Sequence, residues 1–217
     1  MSFADFIDFF LHAERHLEWF IRNYDVWIYA LLFAIIFCET GLIVTPFLPG
    51  DSLLFAVGAI AGKGLIQAEI VTPLLLVAAI VGDAVNYSIG KWTGPKVFQY
   101  ESSRLFNKDH LLKAHAFYEK YGGRAIILAR FVPIVRTFAP FVAGVGAMTY
   151  SKFAIYNVTG AILWIGIFLG GGYYFGGLEI VQKNMKLVIL GIIIVSVLPI
   201  AWEIAKAQLE KRPSPAA

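Results

Sequence analysis

Four charged residues stand inside runs that are otherwise apolar: Glu39 in "FCETGLIVTPF", Asp51 in "LPGDSLLF", and Arg130 and Arg136 in "ILARFVPIVRTFAPF". The two acids fall in the first half of the chain and the two bases in the second. A charge exposed to bilayer hydrocarbon costs at least ~2.5–3.5 kcal/mol on insertion scales, so four of them require pairing, water or a ligand. Arginine offers a planar fork of donors that fits a phosphate bidentately. A carboxylate in a poorly solvated site takes up and releases protons near neutral pH. An anion-binding pair beside a proton-binding pair is what a proton-coupled carrier needs. The plainer reading is a static internal network, with Arg130 reaching back toward the membrane surface. Arg136 argues against it: a helix rise of ~1.5 Å per residue puts it up to ~18 Å from Arg124, too deep to snorkel easily.

The same runs carry helix breakers: Pro46, Pro49 and Gly50 in the first, Pro133 and Pro140 in the second. Breaks free backbone N–H and C=O groups, which membrane depth tolerates only where protein covers them or they line a cavity. Half-helix N-termini would add donors for an anion.

The elements that must position these residues are membrane helices. Hydrophobic residues make up 59% of the 217, charged ones 15%, and mean hydropathy is +0.70, far from a soluble domain's balance. Cys38 is the single cysteine, so an intrachain disulfide or redox pair is excluded. His12, His16, His110 and His115 lie outside the apolar segments; no metal site, cofactor or nucleic-acid partner is expected. Asp5 and Asp8 stand where a signal peptide would be basic, so the first span should act as its own uncleaved insertion signal.

Residues 3–22 read as an amphipathic helix lying in the interface. Segments 24–42, 71–90, 153–175 and 187–205 are long enough to span. Segments 43–62 and 125–148 are apolar but broken. Residues 91–124 carry seven basic side chains; by the positive-inside rule both broken segments turn back, so that this loop and both termini stay cytoplasmic. The expected fold is thus an all-α polytopic membrane protein: about four transmembrane helices plus two re-entrant helical hairpins, and an N-terminal interfacial helix. As one membrane domain it divides into 1–23 (interfacial), 24–95 (first half, hairpin 43–62), 96–124 (cytoplasmic amphipathic segment), 125–176 (second half, hairpin 125–148), 177–205 (last span) and 206–217 (disordered tail).

A weak internal repeat accompanies this division. Phe55 and Gly58 match Phe141 and Gly144 at an offset of 86, and the closing glycines Gly94 and Gly176 match at 82. With hairpins entering from opposite sides, the repeat is of inverted topology, as in many secondary transporters. Asp83, Asn86 and Asn157 are polar residues within spans, read chiefly as interhelix hydrogen-bond partners and otherwise as cavity lining. Gly170, Gly171 and Gly172 are read as close-packing positions, and Trp19, Trp27 and Trp92 as interfacial.

The stretches "FCETGLIVTPFLPGDSLLF", "GDAVNYSIGK", "YEKYGGRAIILARFVPIVRTFAPFVAGVG" and "YNVTGAILW" resemble the bacterial DedA family, related to eukaryotic VTT-domain (SNARE-associated) proteins. The likeness is dense from Cys38 to Gly176. It implies movement of lipids between leaflets of the inner membrane, undecaprenyl phosphate or phospholipids such as phosphatidylethanolamine, with dependence on the proton motive force. It also implies that Glu39 and Asp51 form the functional acidic pair, and that Arg130 and Arg136 are the arginines of an R-x-x-P-x-x-R motif.

The favoured function is therefore a flippase for an anionic lipid phosphate, proton-coupled, its partners being a membrane lipid, protons and, as a candidate, a second copy of itself. The alternatives are an uncoupled phospholipid scramblase and a small-ion or drug–proton antiporter. A pure assembly factor for other membrane proteins needs no transport site. A lipid phosphatase would want a nucleophile such as His beside the arginines, and the histidines lie elsewhere, so no enzyme is expected.

Overall fold

The structure, a computed structural model, describes residues 26–42, 50–93, 122–146, 148–184 and 187–192. The interfacial helix expected at 3–22, Pro46 and Pro49, most of 96–124, most of 187–205 and the tail lie outside the described residues. Among the described residues the protein is all-helical: α1 (Trp27–Gly41), α2 (Gly50–Gly62), α3 (Ala68–Thr93), a 3₁₀ turn (Gly122–Arg124), α4 (Ala125–Ala129), α5 (Pro133–Val145), α6 (Tyr150–Phe175) and α7 (Glu179–Lys183); residues 187–192 are also helical. Helices α3 and α6 are long and apolar enough to cross a membrane. Large apolar side chains such as Ile155, Ile162 and Ile167 of α6 are exposed, as suits a lipid-facing surface.

The directions of the helices follow from their contacts. Tyr29 of α1 accepts a hydrogen bond from the backbone N–H of Gln67, just before α3 (3.1 Å), and Gly41 lies against Gly82 halfway along α3. Helix α1 therefore runs parallel to α3 and stops at its middle, and α2 returns to Gly62 at the end where α1 began. The segment expected to span at 24–42 is described from residue 26 and is helical over Trp27–Gly41, fifteen residues and so ~22 Å.

The pair α4 and α5 starts beside the other end of α3. Gly123 meets Tyr156 and Ile127 meets Gly160, so α4 runs parallel to the start of α6. Val132 is extended (φ −122°, ψ 102°) and Pro133 opens α5. The proline ring pushes its predecessor out of the helical region, then serves as a good first helical residue, where no N–H is needed. Helix α5 then runs back along α3. Pro140 is not a break, contrary to the sequence reading: α5 continues through it. Lacking an N–H, Pro140 only withdraws the donor that the Arg136 carbonyl would otherwise receive.

The two halves exchange their partners. Helix α2 packs on α6, and α5 on α3. A Cβ at Gly58 would run into the Leu169 carbonyl, and one at Gly172 into that of Phe55; likewise Gly144 faces the Tyr87 carbonyl and Gly90 that of Phe141. These are the positions the 86- and 82-residue offsets align, so the weak sequence repeat has a packing counterpart. Of the three consecutive glycines, Gly172 makes this backbone contact, while Gly170 has no atom within 4 Å of where a Cβ would stand.

Asn86 ties the centre together. Its amide nitrogen donates to the carbonyls of Thr40 in α1 (3.2 Å) and Thr137 in α5 (2.7 Å). One buried side chain on α3 thus holds both hairpins.

Candidate functional site

The ends of the hairpin arms bring the charged residues together. Glu39 sits in the last turn of α1, and Gly50 opens α2 by donating its backbone N–H to Glu39 Oε1 (3.1 Å). A carboxylate is favoured there by the helix N-terminus. A Cβ at position 50 would collide with the Glu39 carboxylate, so the glycine lets that side chain lie where it does. Asp51 follows in the first turn of the same helix.

Arg136, from α5, reaches across to both acids. Its Nη2 lies 2.8 Å from Glu39 Oε1 and its Nη1 3.0 Å from Asp51 Oδ1. The Asp51 contact is an aligned hydrogen bond; Nη2 has no aligned acceptor and meets Glu39 as an ion pair only. Trp164, in the middle of α6, completes this group. Its indole N–H donates to Asp51 Oδ1 (2.8 Å), and its ring centroid lies 4.5 Å from the Arg136 guanidinium carbon and 5.8 Å from that of Arg130. Both are within the ~6 Å range of cation–π attraction.

Arg130 takes different partners. Its Nη2 donates to Asp83 Oδ2 (2.5 Å) and to Asn157 Oδ1 (2.6 Å), and Asn157 in turn donates to the Ile80 carbonyl (3.0 Å). Arg130 is 4% exposed, so it is enclosed by protein rather than extended to the surface. Among the described residues, Glu39 Oε2 and Arg130 Nε are buried with no hydrogen-bond partner. A buried charge left partly unsatisfied is costly, and such groups mark places where a ligand or a rearrangement completes the set.

All four charges singled out in the sequence thus gather with Asp83, Asn157 and Trp164 at the ends of the hairpin arms, while Asn86 braces the backbone. Sequence reasoning missed Trp164 altogether. The available signal was its depth: tryptophan favours membrane interfaces, and Trp164 is mid-helix. It also missed that Asp83 is an ion-pair partner. No group of acidic, His or Cys side chains suited to a metal occurs among the described residues. Away from the charges, a groove of about 340 Å³ opens between α3 and α6, lined by Thr72, Leu76, Ile165, Gly166 and Gly170 among others.

Described residues that are all helical, with two apolar helices of membrane length around a buried cluster of ion pairs, are consistent with a membrane protein that has a polar centre. The VTT domain matches residues 48–174, more than half of the chain. Across 202 residues the sequence is 57% identical to protein DedA of Escherichia coli strain K12, covering 92% of each chain. An uncharacterized membrane protein of Mycobacterium leprae is 44% identical over 177 residues (80% of this chain, 79% of the relative). Inner membrane protein YqjA of E. coli strain K12 is 36% identical over 157 residues (72% and 71%). The chain belongs to the DedA family of VTT-domain membrane proteins. No solved structure matches it.

Proposed function

We propose that this protein moves an anionic lipid phosphate, a polyprenyl phosphate or a phospholipid, between the leaflets of a bacterial inner membrane. In this reading α1–α2 and α4–α5 are re-entrant hairpins entering from opposite faces, and their tips meet near the midplane. The basic segment 91–124 and the C-terminus are cytoplasmic. Arg130 and Arg136 hold the headgroup, while Glu39 and Asp51 hold Arg136 until a phosphate replaces them. The released carboxylates, poorly solvated, take up protons, which links headgroup movement to the proton gradient. The protein's own chemistry is binding and exchange of partners, with no bond made or broken in the lipid.

The observation that carries this reading is the bridge from Arg136 to both Glu39 and Asp51. One guanidinium, already forked, joins two hairpins, and only an anion of similar geometry could substitute for its partners. The groove supports a lipid rather than a free ion. Thr72, Leu76 and Asp83 share one face of α3 by helical spacing, so a hydrocarbon chain lying along the groove points its head toward the cluster. The test is translocation of labelled lipid in liposomes holding the purified protein. Wild type should accelerate it, and Arg130→Gln and Arg136→Gln should abolish the acceleration. Wild-type rates in both variants would sink the proposal.

A further inference from the structure

The described cluster contains three carboxylates, Glu39, Asp51 and Asp83, around two guanidiniums, Arg130 and Arg136. The third carboxylate has no part in the mechanism above. Asp83 lies 4% exposed on α3, three residues from the Asn86 that braces both hairpins. It belongs to a crossing helix rather than to a hairpin. Arg130, just past the end of α4, is held against it. The acids that hold Arg136 sit at the opposed ends of α1 and α2; the acid that holds Arg130 sits on the scaffold.

Resting on the lipid-phosphate reading, we infer that Asp83 is the competitor an arriving phosphate must displace from Arg130, so that it sets the affinity of the site. Three features support this. Asp83 and Asn157 both bind the same terminal nitrogen of Arg130, and Nε has no partner. Nη2 belongs to both edges by which a guanidinium grips an anion bidentately, Nη1/Nη2 and Nε/Nη2, so Asp83 occupies one nitrogen of either fork and a bidentate phosphate must take its place. With all five groups ionised the centre also has one negative charge in excess of its positive ones, and an anion entering it meets net repulsion at close range. Finally, among the described residues Arg130 makes its ion pair with Asp83 of α3, and its other contacts are neutral Asn157 and the Trp164 ring of α6. Glu39 and Arg136 act on it only through their charges, so among the described residues no second carboxylate is paired with Arg130 once Asp83 is neutral. Asp83 acts through Arg130 and is a positioning residue; the phosphate itself is bound by the arginines.

A purely structural ion pair predicts the opposite sign of effect. If Asp83 only anchors the second hairpin, neutralising it loosens Arg130 and weakens every ligand. If it competes, neutralising it tightens anion binding. The experiment is calorimetric titration of the full-length protein in detergent with inorganic phosphate and with dihexanoyl phosphatidic acid. Asp83→Asn keeps an acceptor for Arg130 at the same reach. It should bind both probes on the order of tenfold tighter than wild type, the factor equivalent to about 1.4 kcal/mol. The gain should be equal for the two probes if the phosphate group alone is read, and larger for the lipid if its chain adds contacts that Asp83 opposed. Asp83→Ser, smaller and equally neutral, should also tighten binding. Equal or weaker binding by these variants, with a binding wild type, overturns this inference and leaves the lipid-phosphate reading standing. Loss of the fold in both variants overturns it too, since Asp83 would then be a structural counterion. A wild type that binds neither probe overturns both.

Discussion

Arg136 meets Asp51 at 3.0 Å across 85 residues of sequence, and the same carboxylate oxygen also receives the indole N–H of Trp164. A single acceptor thus joins the second hairpin, the first hairpin and α6. Releasing Arg136 from Asp51 would leave Asp51 still held by Trp164, so the acid keeps its place while its charged partner leaves. That asymmetry is what a site exchanging its partners needs.

The two arginines should differ in their tolerance of lysine. Arg136 uses two nitrogens, one toward each acid, and a lysine ammonium cannot reproduce that fork. Arg130 places both of its acceptors on one nitrogen, a task within reach of an ammonium with three donors. Arg136→Lys should therefore reduce lipid translocation at least about tenfold, equivalent to ~1.4 kcal/mol, with a milder loss for Arg130→Lys. Liposome translocation rates check this, and equal tolerance at both positions would contradict it.

Neutral amides at the two acids should separate binding from coupling. Glu39→Gln mimics the protonated acid and retains an acceptor for the Gly50 N–H; Asp51→Asn retains one for Trp164. Both variants should bind lipid phosphate, yet translocate at rates indifferent to an imposed pH gradient. Wild-type rates with the wild-type gradient response, measured in both gradient directions, would show the carboxylates to be structural partners only.

Glycine substitutions should sort by contact. At Gly172 a Cβ would overlap the Phe55 carbonyl, while at Gly170 it meets nothing. Gly172→Ala should destabilise the protein by ~1–3 kcal/mol, as overpacking does, and Gly170→Ala should be near neutral by thermal unfolding in detergent. Gly170→Leu fills the α3–α6 groove without touching the ion pairs; it should slow long-chain lipids more than short-chain ones. Identical slowing of both would remove the groove from the transport path.

The hairpin directions predict a labelling pattern. With Cys38 replaced by Ala, cysteines at Trp27 and Leu65, both exposed, should be modified from one side of the membrane. A cysteine at Trp92, at the other end of α3, should be modified from the opposite side. Modification of positions 27 and 65 from different sides would show α1 to be a full crossing and end the proposed two-hairpin topology.

Composition and spacing made much of this legible. The apolar excess imposes a membrane class, because so few charges cannot solvate a soluble surface. Pro133 marks the break before α5 through local sterics that need no partner, and the offset of 86 aligns Gly58 with Gly144, both of which the structure packs against a backbone carbonyl. Three things waited for the tertiary structure. Segment 24–42 reads as a span, and only the contacts of α1 with Gln67 and Gly82 show which part of α3 it packs along. Trp164 lies in a helix that is apolar nearly all round, so no periodicity distinguishes its buried face from the lipid-facing one. The pairing of Arg130 with Asp83 and of Arg136 with Glu39 and Asp51 depends on how helices far apart in sequence cross. Local sequence can supply the charges and their depth, but a charge accepts any opposite partner within reach, and which one is within reach is decided by packing alone.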